Sequence, residues 1–185
     1  MPKIVDHDAL RIDLLDRSFE LFARRGYEGL TIRQIAEELE LSTGSLYHYF
    51  DSKEAIFVQM LAHVSQTDVG LAVGSLPNDA GPIERIEILL DFIAMREKHF
   101  QNLLFIVLDY FRHPGADQNV MRQTIRYYRQ AISINLRIDD EGRAATLLSL
   151  IIGHLLQRLL DPQFAFDRKS NFGKGIISQF AEARI

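Results

Sequence analysis

Between Thr31 and Lys53 the apolar positions fall into two short helical registers with a break between them. Ile32, Ile35, Ala36 and Leu39 recur at i, i+3, i+4 and i+7, the spacing that lays one apolar stripe along a helix. Thr31, with Gln34 three residues on, has the form of a capping box and predicts where that helix starts. Ser42 is a second N-cap candidate, and past it Leu46 and Phe50 lie four apart and point inward with Leu41. At about 100° per residue the opposite side then carries Gly44, Ser45 and His48, flanked by Thr43, Tyr47 and Tyr49. Two short helices joined by a tight turn, the second turning small, hydroxylated and aromatic residues outward, predict a helix-turn-helix.

The flanking patterns are helical as well. Residues 8–25 place Leu15, Ser18, Phe19 and Phe22 on one face and stop at Gly26, a C′ glycine. From Lys53 the register continues through Ile56, Phe57, Met60, Leu61 and Val64 to about Val73, and SLPNDAGP then reads as a loop. Pro82 opens a helix with Ile83, Ile86, Leu89, Leu90 and Ile93 on one face. LLFIVLDYF is apolar nearly all round and is expected to be buried, and HPGAD ends it. Residues 117–137 put Met121, Ile125, Tyr128 and Ile132 inward, with Arg122, Arg126 and Arg129 on a solvated, salt-bridged face. A strongly hydrophobic helix over 142–161 stops before Pro162, and a last one runs over 167–183. The chain shows no internal repeat, and the expected fold class is all-α.

Composition narrows the class. With 185 residues, 47% hydrophobic and 25% charged, the chain can bury a core as one domain or two small ones. Without cysteine it has neither a disulfide framework nor a thiolate zinc site, which suits a reducing cytoplasm. MPKIVDHD does not resemble a signal peptide, and the runs LLFIVL and LLSLIIG fall short of the roughly 18 to 20 residues a membrane helix needs. A soluble, cytoplasmic protein with no membrane partner is expected.

A helix about 10–12 Å across fits a major groove about 12 Å wide, and a helix-turn-helix offers the N-terminal residues of its second helix to base edges. Those residues are Thr43, Gly44 and Ser45. Gly44 has no side chain to hold the helix off, and the hydroxyls of Thr43 and Ser45 donate or accept. Tyr47, one turn on, is placed to reach a phosphate, as is Lys53 at the start of the next helix. Charge complicates this picture, because residues 1–55 carry seven Lys/Arg against eleven Asp/Glu, a net of −4. Counterion release depends on the cations that face phosphate rather than on the domain's sum, so the contact surface must sort its charge locally.

From Leu14 to Phe57, LLDRSFELFARRGYEGLTIRQIAEELELSTGSLYHYFDSKEAIF, the chain resembles the tetracycline-repressor family of transcription regulators. The resemblance rests on Leu-Phe-Ala before Arg-Arg-Gly-Tyr, on Thr-x-x-x-Ile-Ala, on Gly-x-Leu-Tyr and on the Lys-Glu that opens a long helix. It implies that Arg33, Thr43, Gly44, Ser45, His48 and Tyr49 approach bases, and that Thr31, Tyr47 and Lys53 hold phosphates. It also implies a DNA-binding domain over 1–53 and a helical ligand-binding and dimerisation domain over 54–185. The expected function is a ligand-responsive regulator, a repressor, that binds a near-palindromic double-stranded operator as a homodimer and is released by a small, mainly apolar effector.

Two patterns in the second region fit that expectation. Ala145, Ser149 and Gly153 recur every four residues, letting another helix come close, and Phe172, Ile176 and Phe180 repeat at the same spacing near the C-terminus. These six residues are the expected dimer interface. Phe92, Met95, His99, Phe105, Asp109, Tyr110, Met121, Tyr128 and His154 mix apolar walls with polar groups and are the expected ligand site. An enzyme finds little support: no Gly-rich phosphate loop, His-Glu-x-x-His or Gly-x-Ser-x-Gly occurs. The six His never pair at i+3 or i+4, so no catalytic residue, metal or cofactor is expected. The alternatives are a DNA-binding dimer without an effector and a helical protein-interaction module.

Overall fold

A computed structural model describes residues 6–164 and 167–182. Among these, nine helices and no strand are present: α1 His7–Arg25, α2 Ile32–Glu38, α3 Thr43–Tyr49, α4 Lys53–Gly74, α5 Pro82–Met95, α6 Glu97–Arg112, α7 Gln118–Leu136, α8 Glu141–Leu160 and α9 Asn171–Glu182. The all-α expectation holds. Ala183, given above as the end of the last helix, lies outside the described residues.

Contacts divide the chain into two units, residues 1–67 with 105–124 and residues 68–104 with 125–185. This is not the division at 53/54 read from the sequence, because the first part of α4 and the segment 105–124 pack with the N-terminal helices. In the first unit α1 starts on Asp6, whose carboxylate accepts the Asp8 and Ala9 N–H groups, and ends at Gly26 with φ 71°. A Cβ at Gly26 would lie 2.8 Å from Asp109 Oδ2, so both the positive φ and the close carboxylate require glycine. Asp109 uses that proximity to accept the Tyr27 N–H at 2.6 Å; the sequence offers it to a ligand instead. Tyr110 is fully buried, stacks on Phe57 with ring centroids 4.2 Å apart and donates to Glu54 at 2.7 Å. Burial and then that hydrogen bond push its pKa up to about 12.

The turn between α2 and α3 is set by the backbone. Thr31 and Gln34 form the capping box, Leu41 N–H reaches Ala36 O at 2.8 Å, and Glu40 takes the left-handed conformation with φ 61°. Ile35, Ala36, Leu39, Leu46 and Phe50 are each at most 2% exposed. This core fixes how α3 is presented.

In the second unit Ile86, Leu90, Ile93, Leu136, Ala144, Leu147, Ile151, Leu155, Ile176 and Phe180 share one apolar core. Arg85, buried in it, donates to the carbonyls of Ala80, Asn135 and Pro77 at 2.8 to 2.9 Å. A buried cation is tolerated there because loop and helix-end carbonyls take its protons.

Two expectations need correction. α6 is not buried all round: Phe105, Leu108 and Phe111 are 46 to 53% exposed. Ile125 of α7, expected to point inward, is also exposed. Also, although the continuous apolar runs are short, α4 and α8 as whole helices are long and apolar enough by length and composition to cross a membrane. α4 meets that measure while carrying the buried Asp68 carboxylate and its partners Arg96 and His99, as a core helix does.

Candidate nucleic-acid interface

α3 is anchored on one side and open on the other. Ser42 Oγ accepts the Ser45 N–H at 3.0 Å and lies 2.8 Å from the Ser45 hydroxyl, which fixes the first turn. Leu46 and Phe50 are buried, Gly44, Ser45, Tyr47 and His48 are exposed, and Thr43 and Tyr49 are half-buried. A Cβ at Gly44 would meet nothing nearer than Ser42 Oγ at 3.9 Å. The chain's own packing therefore does not demand glycine there. Arg33 on α2 is exposed as well, and Tyr49 Oη lies 2.9 Å from His7 Nδ1 on α1.

Charge in this unit is sorted locally. Glu38 pairs with Arg24 and Arg25 at 3.4 and 3.1 Å, and Arg17 bridges Asp13 and Glu40 at 3.6 and 3.8 Å. Acidic residues at the end of α2 thus fold back on the arginines of α1 rather than standing alone against an approaching polyanion.

Two of the expected phosphate-holding groups are otherwise engaged. Lys53 Nζ donates to the carbonyls of Tyr27 and Leu30 at 3.0 and 2.9 Å and sits 4.1 Å from the Tyr27 ring centroid. Carbonyls of the 26–31 turn, left without helical partners, draw the ammonium inward, so its first task is to hold that turn. Thr31 Oγ1 is part of the capping box, 2.9 Å from Gln34 Oε1. Tyr47, half exposed, keeps its expected outward position.

The nine residues expected to surround a ligand are divided between the two units. Phe105, Asp109, Tyr110 and Met121 belong to the first unit; Asp109 and Tyr110 have the structural roles given above, and Phe105 is 50% exposed. Met95 is 79% exposed and lines no interior. Phe92 lies in the core of the second unit, and His154 is buried there against Phe172 at 4.0 Å. Burial first, and then Arg158, lower the His154 pKa against an opposing effect of Glu97. His99 and Tyr128 do converge, on a residue the sequence reading passed over. Asp68 of α4, its side chain 2% exposed, accepts from Arg96 Nη2 at 3.1 Å and Tyr128 Oη at 3.2 Å and lies 2.8 Å from His99 Nε2. A lone acid in the apolar stretch VSQTDVGLA was the available signal for it.

The expected dimer residues also separate. Ser149 and Gly153 are exposed, Ala145 is half-buried, and a Cβ at Gly153 would meet nothing within 4 Å. Leu156 and Leu160 continue the open side of α8 at 37 and 88% exposure. In contrast, Ile176 and Phe180 are 3 and 4% exposed within the chain's own core and Phe172 packs on His154. That face of α9 is spent on α5 and α8, because the second unit needs it to close its core.

A capped helix-turn-helix whose second helix leaves its small and hydroxylated residues open, within an all-helical chain, defines a DNA-binding transcriptional regulator. Residues 14–60 match the family described as bacterial regulatory proteins, tetR family. The HTH-type transcriptional regulator PksA of Bacillus subtilis is 27% identical over 173 residues, 88% of this chain and 84% of that protein. The HTH-type transcriptional repressor KstR2 of Rhodococcus jostii is 47% identical over 51 residues, 28% of this chain and 25% of that one. A TetR transcription regulator from Haloarcula marismortui has the same fold, with a TM-score of 0.70 at 21% identity over 95% of this chain and 98% of its own. The N-terminal region of the chain thus carries the helix-turn-helix region of the tetracycline-repressor family.

Proposed function

We propose that this regulator is a repressor that binds a near-palindromic operator as a homodimer and is released by a small, mainly apolar effector. The observation that carries the reading is the open face of α3, where Gly44, Ser45, Tyr47 and His48 stand clear of the anchoring Leu46 and Phe50. Thr43, Gly44, Ser45, His48, Tyr49 and Arg33 approach bases, and Tyr47 approaches phosphate. A two-fold dimer supplies two such helices about 34–36 Å apart, one turn of the duplex.

Support for the dimer comes from α8, an apolar helix on which Ala145 is half-buried and Ser149, Gly153, Leu156 and Leu160 are exposed. Support for the effector comes from the second unit, where Phe92, His99, Tyr128 and His154 remain from the expected set and Asp68 and Arg96 join them. Asp68 sits on α4, which also begins at the helix-turn-helix, so a ligand that disturbs the Asp68 cluster biases α4 and with it the spacing of the two recognition helices.

The test begins with selection of duplexes from a randomised library by the purified protein, which is expected to return a two-fold symmetric motif. Gly153→Leu is then expected to give folded monomers in sedimentation, because the chain itself has room for the side chain and only a partner's helix does not. A folded variant that stays dimeric would remove α8 from the interface. Apolar and aromatic compounds bearing one polar group are titrated with and without that duplex. An effector binds the free dimer more tightly than the DNA complex by the same factor, about 5–150-fold, by which it weakens DNA binding. Equal affinity in both conditions, for a compound displaced by Asp68→Asn, leaves a DNA-binding dimer without a switch.

A further inference from the structure

His7, His48 and Tyr49 form a ring cluster at the end of the recognition helix, and the function proposed above gives no task to His7. The ring centroids of His7 lie 6.1 Å from His48 and 6.0 Å from Tyr49, and His48 and Tyr49 are 5.5 Å apart. His7 is the first residue of α1, forty-two positions from the tyrosine it meets at 2.9 Å. An exposed bond of this kind adds little to folding, but it decides how Tyr49 faces outward.

A phenolic hydroxyl has one proton to give and lone pairs to receive with. When His7 Nδ1 carries no proton, Tyr49 donates to it and presents only an acceptor outward, which matches the amino group of cytosine or adenine. When His7 Nδ1 carries a proton, it donates to Tyr49 Oη, and the tyrosine keeps its own proton for guanine O6 or N7 or thymine O4. The tautomer or charge of one imidazole therefore inverts the base edge that Tyr49 fits. We propose that His7, outside the helix-turn-helix, is a specificity-determining positioning residue: it holds the Tyr49 hydroxyl and sets whether it donates to or accepts from the operator. This rests on α3 being the recognition helix. The other titratable groups around His7 are Asp6 and Asp8 in its own turn, the former engaged as the α1 N-cap, and His48 on α3.

The experiment compares base preferences selected from a randomised duplex library by the parent chain and by His7→Ala, His7→Gln, Tyr49→Phe and the His7→Ala/Tyr49→Phe pair. Thermal melts are expected to be the same for all. His7→Ala and Tyr49→Phe are expected to change preference at the same base pair by about 2- to 10-fold, and the double variant to go no further than Tyr49→Phe. His7→Gln, whose amide both donates and accepts, restores part of the preference. Uniformly weaker binding by His7→Ala with unchanged preferences would make His7 a phosphate contact and overturn the proposal, as would changes at different base pairs or additive effects in the double variant. A parent that selects no sequence overturns the recognition-helix reading itself; one that selects a motif indifferent to His7 overturns only this inference.

Discussion

The two units use buried polar groups differently. In the first, they are tied to backbone or to one fixed partner: Lys53 to the carbonyls of Tyr27 and Leu30, Asp109 to the Tyr27 N–H, Tyr110 to Glu54 and the Asp117 N–H. Such bonds stiffen turns, and stiff turns are what a helix presented to base edges requires. In the second unit, beside the carbonyl-bonded Arg85 and Arg143, charges also meet charges. Asp68 gathers Arg96, His99 and Tyr128, and Glu97 holds Arg158 through its Nε at 3.0 Å and Nη2 at 3.0 Å. A charge cluster has a balance that a proton or a ligand can upset, whereas a carbonyl bonded to a lysine has none. The first arrangement is suited to holding one geometry and the second to changing between two.

The largest effect should come from the first unit. Tyr110→Ala is expected to cost about 3–5 kcal/mol in urea unfolding, the range for a buried aromatic truncated to alanine. Tyr110→Phe should cost roughly 1–3 kcal/mol, because Glu54 and the Asp117 N–H lose their partner. Equal and small losses from both would mean that segment 105–124 is only loosely part of this unit, and the contrast drawn above would fail.

Asp68→Asn tests the other side. It leaves Arg96 and His99 without their countercharge and should cost roughly 2–3 kcal/mol, less than the roughly 3–5 of a fully buried pair because both partners keep some water. If the variant folds with parental stability and unchanged DNA affinity, the cluster is ornamental and the second unit is not poised between states. Lys53→Met should be milder, about 1–2 kcal/mol, from two lost charged hydrogen bonds partly replaced by solvent. The slope of log affinity against log salt should stay that of the parent, because two carbonyls already hold the ammonium; a slope reduced by about one would place Lys53 in the DNA contact set.

How much of this was legible in the sequence differs between the units for a physical reason. Period and capping are local, so Thr31, Gln34, Ser42, Leu46 and Phe50 announced α2, α3 and their inward faces within twenty residues. The partnership of Asp109 with Tyr27 and of Tyr110 with Phe57 spans more than fifty positions, and no periodicity encodes it. The same limit hid the inward turn of Lys53, since a lysine opening a helix looks alike whether it faces phosphate or a neighbouring turn. In the second unit, hydrophobic register found the helices but not their partners: Ile176 and Phe180 read equally as dimer face and core, and burial alone decides for core. The exposed face of α6 shows the reverse error, because apolar residues all round a helix do not ensure that anything covers them.

The smallest expected effect concerns His154, where the two ways of using polar groups meet. It is 1% exposed, stacked on Phe172, and its pKa is lowered by burial and by Arg158. A histidine with a folded pKa below its unfolded value of 6.5 takes up its proton more readily in the unfolded chain. Stability is therefore full above pH 6.5 and falls as pH drops below it, with a slope from this residue of at most about 1.4 kcal/mol per pH unit. The slope ends once pH passes below the folded pKa. Urea unfolding of the parent and of His154→Phe, repeated between pH 7.5 and 5, should give curves that run together above pH 6.5 apart from a constant offset and separate below it, the variant losing less. If both lose stability in parallel, the acid sensitivity does not come from His154, which then behaves as a core ring like those of the first unit.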